Sequence, residues 1–237
     1  MIEITFKPKK VSLLFLSIAV FLTLVHCIFL VSFFCIDTPD ISFFIRWFDL
    51  DIENNVPSLY SSFAIFMCSF LSFIIAMHKS KRLDYEKLCW FGLGIVFLFL
   101  SFDEYFQLHE NIGDIVENYI NATGFLYFPW IIPYGFAVIV FILVYLKFIL
   151  ELPKKTATLF ILTGIVYLTG AIVFDMLGGR EAELYGFDSV TYSVLYTIEE
   201  FLEMISVVVL IYTFLLYIER QFGYICITLQ IREINKV

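Results

Sequence analysis

Two short stretches of the chain carry side chains that could do chemistry. "FLSFDEYFQLHEN" brings Asp103, Glu104, His109 and Glu110 together within eight positions, and "YTIEEFLEMIS" brings Glu199, Glu200 and Glu203 within five. Asp175 stands alone between them in sequence, in "IVFDML". Carboxylates with an imidazole suit a hard or borderline divalent cation such as Mn, Fe, Zn, Mg or Ca. A bound cation can activate water for hydrolysis, with a neighbouring carboxylate or imidazole as base. The candidate metal ligands are therefore Asp103, Glu104, His109, Asp175, Glu199, Glu200 and Glu203, and the candidate catalytic groups are His109 and Glu110. Glu199 and Glu203 are spaced i,i+4 and Glu200 and Glu203 i,i+3, so all three can share one side of a helix. With almost no Lys or Arg nearby, they either hold protons or are neutralised by cations.

What must position these groups is a membrane bundle. Of the 237 residues, 61% are hydrophobic and 19% aromatic, against about 45–50% apolar in soluble domains. Mean hydropathy is +0.90. A hydrocarbon core about 30 Å thick needs about 20 apolar residues of helix. Six runs meet that length: Val11–Cys35, Pro57–Met77, Leu88–Leu108, Trp130–Leu150, Thr156–Met176 and Val190–Tyr217. The expectation is a single all-α membrane domain over residues 1–237, a six-transmembrane helix bundle with lipid as its surroundings. The net charge of −8 excludes nucleic acid as an obvious partner. Homo-oligomerisation stays open.

Basic residues orient the chain. Lys7, Lys9 and Lys10 precede the first run, Lys79, Lys81, Arg82 and Lys87 separate the second and third, Lys147, Lys154 and Lys155 flank the fourth-to-fifth turn, and Arg220, Arg232 and Lys236 follow the sixth. Six crossings put all of these on one side, leaving Arg46 and Arg180 on the other, so both termini are expected in the cytoplasm. The loop acids are biased the opposite way: Asp37, Asp40, Asp49, Asp51 and Glu53 in the first outer loop, Asp114 and Glu117 in the second, Glu181, Glu183 and Asp188 in the third. The plain expectation for these is a solvated acidic face; attraction of cations to that face is the functional alternative.

Depth brings the candidates together. Asp103 lies about 22 Å up the third run, Glu199 and Glu200 about 13–15 Å below the outer end of the sixth, and Glu203 about 20 Å below it. His26, about 22 Å up the first run, has a similar depth, although a lone His there more often bonds helix to helix. His109 falls about 120° from Asp103 on an ideal helix, so a kink, a helix end or a different partner for His109 is required. If the third helix continued, Asp103, Gln107, Glu110, Asp114 and Glu117 would form one polar stripe. "LGGRE" is expected to end the fifth helix at its paired glycines, and Arg180 to pair with Glu181, Glu183 or Asp175. Cys27, Cys35, Cys68, Cys89 and Cys226 have no CxxC spacing and read as small buried residues.

Known templates fit poorly. Di-iron bundles use Glu-x-x-His pairs, whereas this chain has Glu200-x-x-Glu203; "HENIG" lacks the second His of HExxH. Two readings from other classes stay open: a proton- or cation-coupled transporter, since protonatable chains in spans also mark ion paths, and a non-catalytic membrane subunit with a protonated polar plug. The segments around Asp103, Glu104, His109 and Glu110 and around Glu199, Glu200, Glu203 and Met204, with "FDLDIENNVPSLYSS" in the first loop, resemble a group of uncharacterised bacterial multi-pass membrane proteins. Those carry an LDExxxLHE-like and an EExxEM-like segment. The resemblance runs from about Phe48 to Ser206 and implies a bacterial inner-membrane location. The seven-span hydrolases that include alkaline ceramidases use several His ligands; six runs and three His do not match them.

Overall fold

A computed structural model describes residues 2–36, 46–79, 84–223 and 225–229, with side chains described for residues 6–35, 46–79 and 84–223. Six helices are long and apolar enough to cross a membrane: Pro8–Cys35, Val56–His78, Tyr85–Phe106, Ile131–Glu151, Lys154–Tyr185 and Val190–Phe222. The chain is a multi-pass membrane protein. The elements are α1 (Pro8–Ile36), α2 (Val56–His78), α3 (Tyr85–Phe106), the short α4 (Leu108–Glu117), α5 (Ile131–Glu151), α6 (Lys154–Leu168), a π-helical stretch (Thr169–Phe174), α7 (Asp175–Tyr185) and α8 (Val190–Phe222). Strands β1 (Ile2–Phe6) and β2 (Ile225–Leu229) pair antiparallel, with Ile2 opposite Leu229. This ribbon joins residues 2–6 to residues 225–229 at one end of the bundle, here the terminal end. The other is the acidic end.

α8 is the central helix, packed against α1, α2, α6, α7 and the π stretch. Lipid is as apolar as leucine, so close packing and interhelical hydrogen bonds must hold such helices together. α8 supplies both: Ile211 and Phe214 are fully buried, and Phe214 and Tyr217 pack on the fully buried Trp90 of α3 at ring separations of 5.4 and 5.0 Å. α2 and α3 are stitched by small residues. Ser62 Oγ donates to the Ser101 carbonyl at 2.7 Å, Ser101 Oγ donates back to the Ser62 carbonyl at 2.9 Å, and Ser69 Oγ donates to the Gly94 carbonyl at 2.7 Å. α2 starts at a capping box in which Asn55 Oδ1 accepts from the Ser58 amide and Ser58 Oγ accepts from the Asn55 amide, with Pro57 in the first turn.

Two details depart from the sequence expectation. The third helix does not continue as one polar stripe: Gln107 adopts φ 56°, ψ 41°, ending α3 and starting α4. The paired glycines do not end the fifth helix either. Gly178 and Gly179 lie inside α7, which runs on to Gly186 at φ 83°. A Cβ at Gly179 would fall 2.9 Å from the Phe128 ring, so its smallness serves packing against that ring rather than termination. Asp37, Asp40 and residues 41–45 of the interfacial stretch lie outside the described residues.

Candidate metal centre

The break at Gln107 builds the site. A continuous α-helix would turn His109 away from Asp103, but the left-handed residue lets the chain fold back. The His109 amide then donates to Asp103 Oδ1 at 2.7 Å, and the same ring presents Nδ1 to that oxygen at 3.4 Å. Asp103 is buried and takes a second hydrogen bond from the Tyr134 hydroxyl of α5 at 2.9 Å. Trp130 stands edge-on to the His109 ring, centroids 5.1 Å apart. Asp103 thus fixes the orientation of His109 and leaves Nε2 facing Glu53 Oε1, 3.7 Å away.

Glu53 comes from the loop before α2. The cap residue Asn55 locks that loop, its Nδ2 donating to the Asp49 carbonyl at 2.6 Å. The loop is further held by α8, where Tyr192 donates to Asp51 at 2.8 Å and Tyr196 to Asp49 at 3.2 Å. Ligand atoms of Glu53, His109 and Glu110 all lie within 4.8 Å of one another, the one such group of three or more among the described residues. Glu53 and His109 are half-buried and Glu110 is exposed, which places the group at the mouth of the acidic end. Burial, reinforced by Glu104, Glu110 and Asp103 and opposed by His109, pushes Glu53 up to about 8. Burial acts against a charged His109, but the contact with Asp103 and the charges of Glu53 and Glu104 outweigh it, and the ring rises to about 9.

The deeper acids lie in the same region of the bundle. Glu104 lies beside Ser61 of α2 and within electrostatic reach of His109 and Asp103. Glu200 faces Glu104, Glu199, Glu203 and Glu53, and Glu203 faces Glu104, His109 and Asp175 while accepting a hydrogen bond from Tyr167. Glu199 has Asp175, Glu203 and Asp51 as its charged neighbours. Each of Glu104, Glu199, Glu200 and Glu203 is only half-buried. Gly170, in the π stretch, makes this convergence possible: a Cβ there would lie 2.9 Å from the Glu199 carbonyl oxygen and 3.2 Å from Glu203 Cγ. π turns of this kind recur at functional sites.

All eight sequence candidates thus reach one region, but only His109 and Glu110 belong to the three-residue group. Sequence reasoning missed Glu53, which it assigned to a solvated face together with Asp49 and Asp51. The available signal was "ENNVPS": the Asn55–Ser58 cap fixes where α2 starts, and with it a carboxylate two residues upstream at the mouth. His26 does bond helix to helix. Its Nδ1 accepts from the Leu50 amide at 3.3 Å and its Nε2 meets Thr197 Oγ1 at 3.1 Å. A ring whose two nitrogens are engaged in this way is no ligand, and the 3.4 Å approach of Asp49 to Nδ1 is no ion pair when that nitrogen accepts. Arg180 lies over the Phe125 ring at 4.8 Å. Two of its expected partners take neutral donors instead, Glu181 from Ser189 and Glu183 from the Gly124 amide.

A family profile matches residues 13–218, covering every candidate residue. The chain belongs to DUF8692, a domain of unknown function. Neither the curated proteins nor the solved structures contain a match.

Proposed function

We propose that this DUF8692 protein binds a divalent cation at its acidic end, through Glu53, His109 and Glu110, and that the cation supports hydrolysis of a membrane-proximal substrate. The convergence of three ligand atoms within 4.8 Å carries the reading. Glu53 Oε2 is buried without a hydrogen-bond partner, and a carboxylate oxygen in that condition is costly unless something binds it. Asp103, against the far ring nitrogen of His109, supplies the carboxylate–histidine support that metal-binding imidazoles commonly have. It acts as a positioning group rather than a ligand. Glu104, Glu200 and Glu203 would lie behind the cation as further negative charge when ionised.

A bound cation would supply Lewis acidity and a water of lowered pKa. With one oxygen of Glu110 on the cation, its second carboxylate oxygen would take that water's proton. The positive-inside bias of the loops puts this mouth on the extracytoplasmic side, where headgroups of surrounding lipid would be within reach. Passage through the bundle is disfavoured. Below Glu203 the core closes over Met204, Ile211, Phe214, Leu93 and Cys68, all at most 2% exposed. Its hydroxyls are spent on carbonyls, as Thr213 on Val209 and Ser72 on Cys68.

Elemental analysis of protein purified without chelator tests the reading. Stoichiometric divalent metal is expected, and its loss in Glu53→Gln and His109→Ala. Metal-free wild-type protein, failing to take up Mn²⁺ or Zn²⁺ on dialysis, would remove it.

A further inference from the structure

The two helices that flank the mouth site also form an apolar groove. α2 and α3 approach closely where Ser62 meets Ser101, and small residues are what allow helices in lipid to come together. Around that contact the larger side chains leave a hollow of about 260 Å³. Leu59, Phe63 and Phe66, at i, i+4 and i+7 of α2, form one wall, and Phe102 and Phe106, at i and i+4 of α3, form the other. All five are exposed, so the groove faces the lipid. Packing holds its rings in place: Phe63 stacks on Phe15 of α1 with centroids 6.1 Å apart, and Phe102 stacks on Phe106 at 6.0 Å. The Ser62 and Ser101 hydroxyls are spent on each other's carbonyls, so they offer little to a polar ligand. The hollow is smaller than the about 300–1,000 Å³ of pockets that enclose a drug-sized molecule. It follows the helices for about 10 Å from Leu59 to Phe66, a shape for one alkyl chain.

Each wall leads, at its acidic end, into a ligand of the mouth. Glu53 lies six residues before Leu59, and His109 three residues after Phe106, just past the break at Gln107. Glu104 falls about 200° around α3 from Phe102, so the deep acids and the groove occupy opposite sides of the helix pair. What joins them is the loop before α2 and the start of α4, the two segments that carry the mouth ligands. We propose that the substrate of the mouth site is a glycerophospholipid, with one acyl chain in the α2–α3 groove and its phosphate reaching over the helix ends to the cation on Glu53, His109 and Glu110. This rests on the mouth site reading and names its substrate class. Charge makes the two halves interdependent. A phosphate close to so many carboxylates is repelled unless a cation lies between them, and a hard divalent cation held by one or two carboxylates keeps positions for phosphate oxygens. The acyl chain stays in the bilayer throughout, so binding brings no apolar surface into water.

Photolabelling of the purified full chain in maltoside micelles, which contain no competing phosphate, tests this. The probes are a phosphatidylglycerol and a diacylglycerol carrying the same diazirine in one acyl chain, each used with saturating Mn²⁺ and with chelator, and labelled positions are read by peptide mass spectrometry. With Mn²⁺ the phosphatidylglycerol probe should label the groove walls several-fold more than it does with chelator, and several-fold more than the equally exposed α5 face at Ile139 and Leu143. The diacylglycerol probe should show no dependence on Mn²⁺. Leu59→Trp, a substitution on the lipid face that narrows the groove, should remove the Mn²⁺-dependent labelling while Mn²⁺ binding by equilibrium dialysis is unchanged. Groove labelling equal to that of α5, or equal with and without Mn²⁺ in wild type that binds the ion, overturns the lipid assignment and leaves the cation site. No Mn²⁺ binding by wild type overturns both.

Discussion

The two ends of the bundle treat a carboxylate in opposite ways. At the terminal end Glu86 of α3 meets Lys79 Nζ at 2.5 Å and the Tyr217 hydroxyl of α8 at 2.9 Å, while the Lys79 ammonium sits over the Tyr217 and Phe222 rings. That is a closed set: one acid, one base, one hydroxyl, tying α2, α3 and α8 together. At the acidic end Asp49, Asp51, Glu53, Asp103, Glu104, Glu110, Asp175, Glu199, Glu200 and Glu203 share a region whose nearest imidazolium is His109. The first arrangement is complete as it stands and reads as structure. The second gathers more carboxylates than its own bases can pair, so protons or a cation must neutralise the remainder.

The largest effect that would break this contrast is on affinity. Replacing Glu53 by Gln together with His109 by Ala is expected to weaken Mn²⁺ or Zn²⁺ binding by at least about 100-fold. Asp103→Asn, which touches only the support of the ring, should cost about 10–100-fold. Calorimetric titration reads both, and equal affinity in wild type and the double variant would erase the distinction between the ends. Next comes the packing that gathers the deep acids. Gly170→Val drives side-chain atoms into the Glu199 carbonyl and is expected to lower unfolding stability by about 1–3 kcal/mol, measured by denaturation in detergent. An unchanged midpoint would mean that the close approach at the π stretch does not matter.

Acidity separates the ends further. The folded pKa of His109 is raised above 6.5, so the stability it contributes is complete below about pH 6.5 and is lost as pH climbs through about 9. The folded pKa of Glu53 is raised from 4.5 to about 8, so the stability gained by keeping it neutral is present below 4.5 and fades as pH rises through 8. Both act in one direction. The metal-free protein is expected to melt lower at pH 9 than at pH 6, and the slope should flatten in Glu53→Gln. A smaller effect lies at the terminal end. Lys79→Ala removes a partly exposed ion pair and should cost about 0.5 kcal/mol without altering metal affinity. Smallest is Gln107→Gly, which relieves a left-handed backbone and should leave stability within about 1 kcal/mol of wild type. A large loss would show that the Gln107 side chain, rather than its backbone, shapes the break.

The bundle itself was legible because its signal is carried by long one-dimensional runs: length and hydropathy identify six spans to within a few residues at most ends, and the ends that moved are those where polar sequence stays helical. α7 extends nine residues past Met176 because "LGGREAELY" packs Gly179 against Phe128 and Tyr127 and Gly178 against Tyr192, a tertiary reason that composition does not reveal. The similar depth of Asp103, Glu199 and Glu203 was readable from helical rise, and the shared face of Glu199, Glu200 and Glu203 from their spacing. The role of Glu53 did not, since a loop acid reads as solvated until the Asn55 cap and the Tyr192 and Tyr196 hydroxyls are seen to fold its loop inward. A kink or helix end was one of the ways open to join Asp103 to His109, yet Gln107 is not a residue type that announces a left-handed turn.

The central claim, that the acidic end is a cation site and the terminal end is not, is tested most directly by thermal unfolding with and without saturating Mn²⁺ at pH 8. At about 100 times the dissociation constant a bound cation adds about 2.7 kcal/mol. Wild type and Lys79→Ala should therefore gain the same marked rise in Tm, and a Glu53→Gln, Glu110→Gln variant little or none. No rise in wild type, or an equal rise in that double variant, would contradict the account.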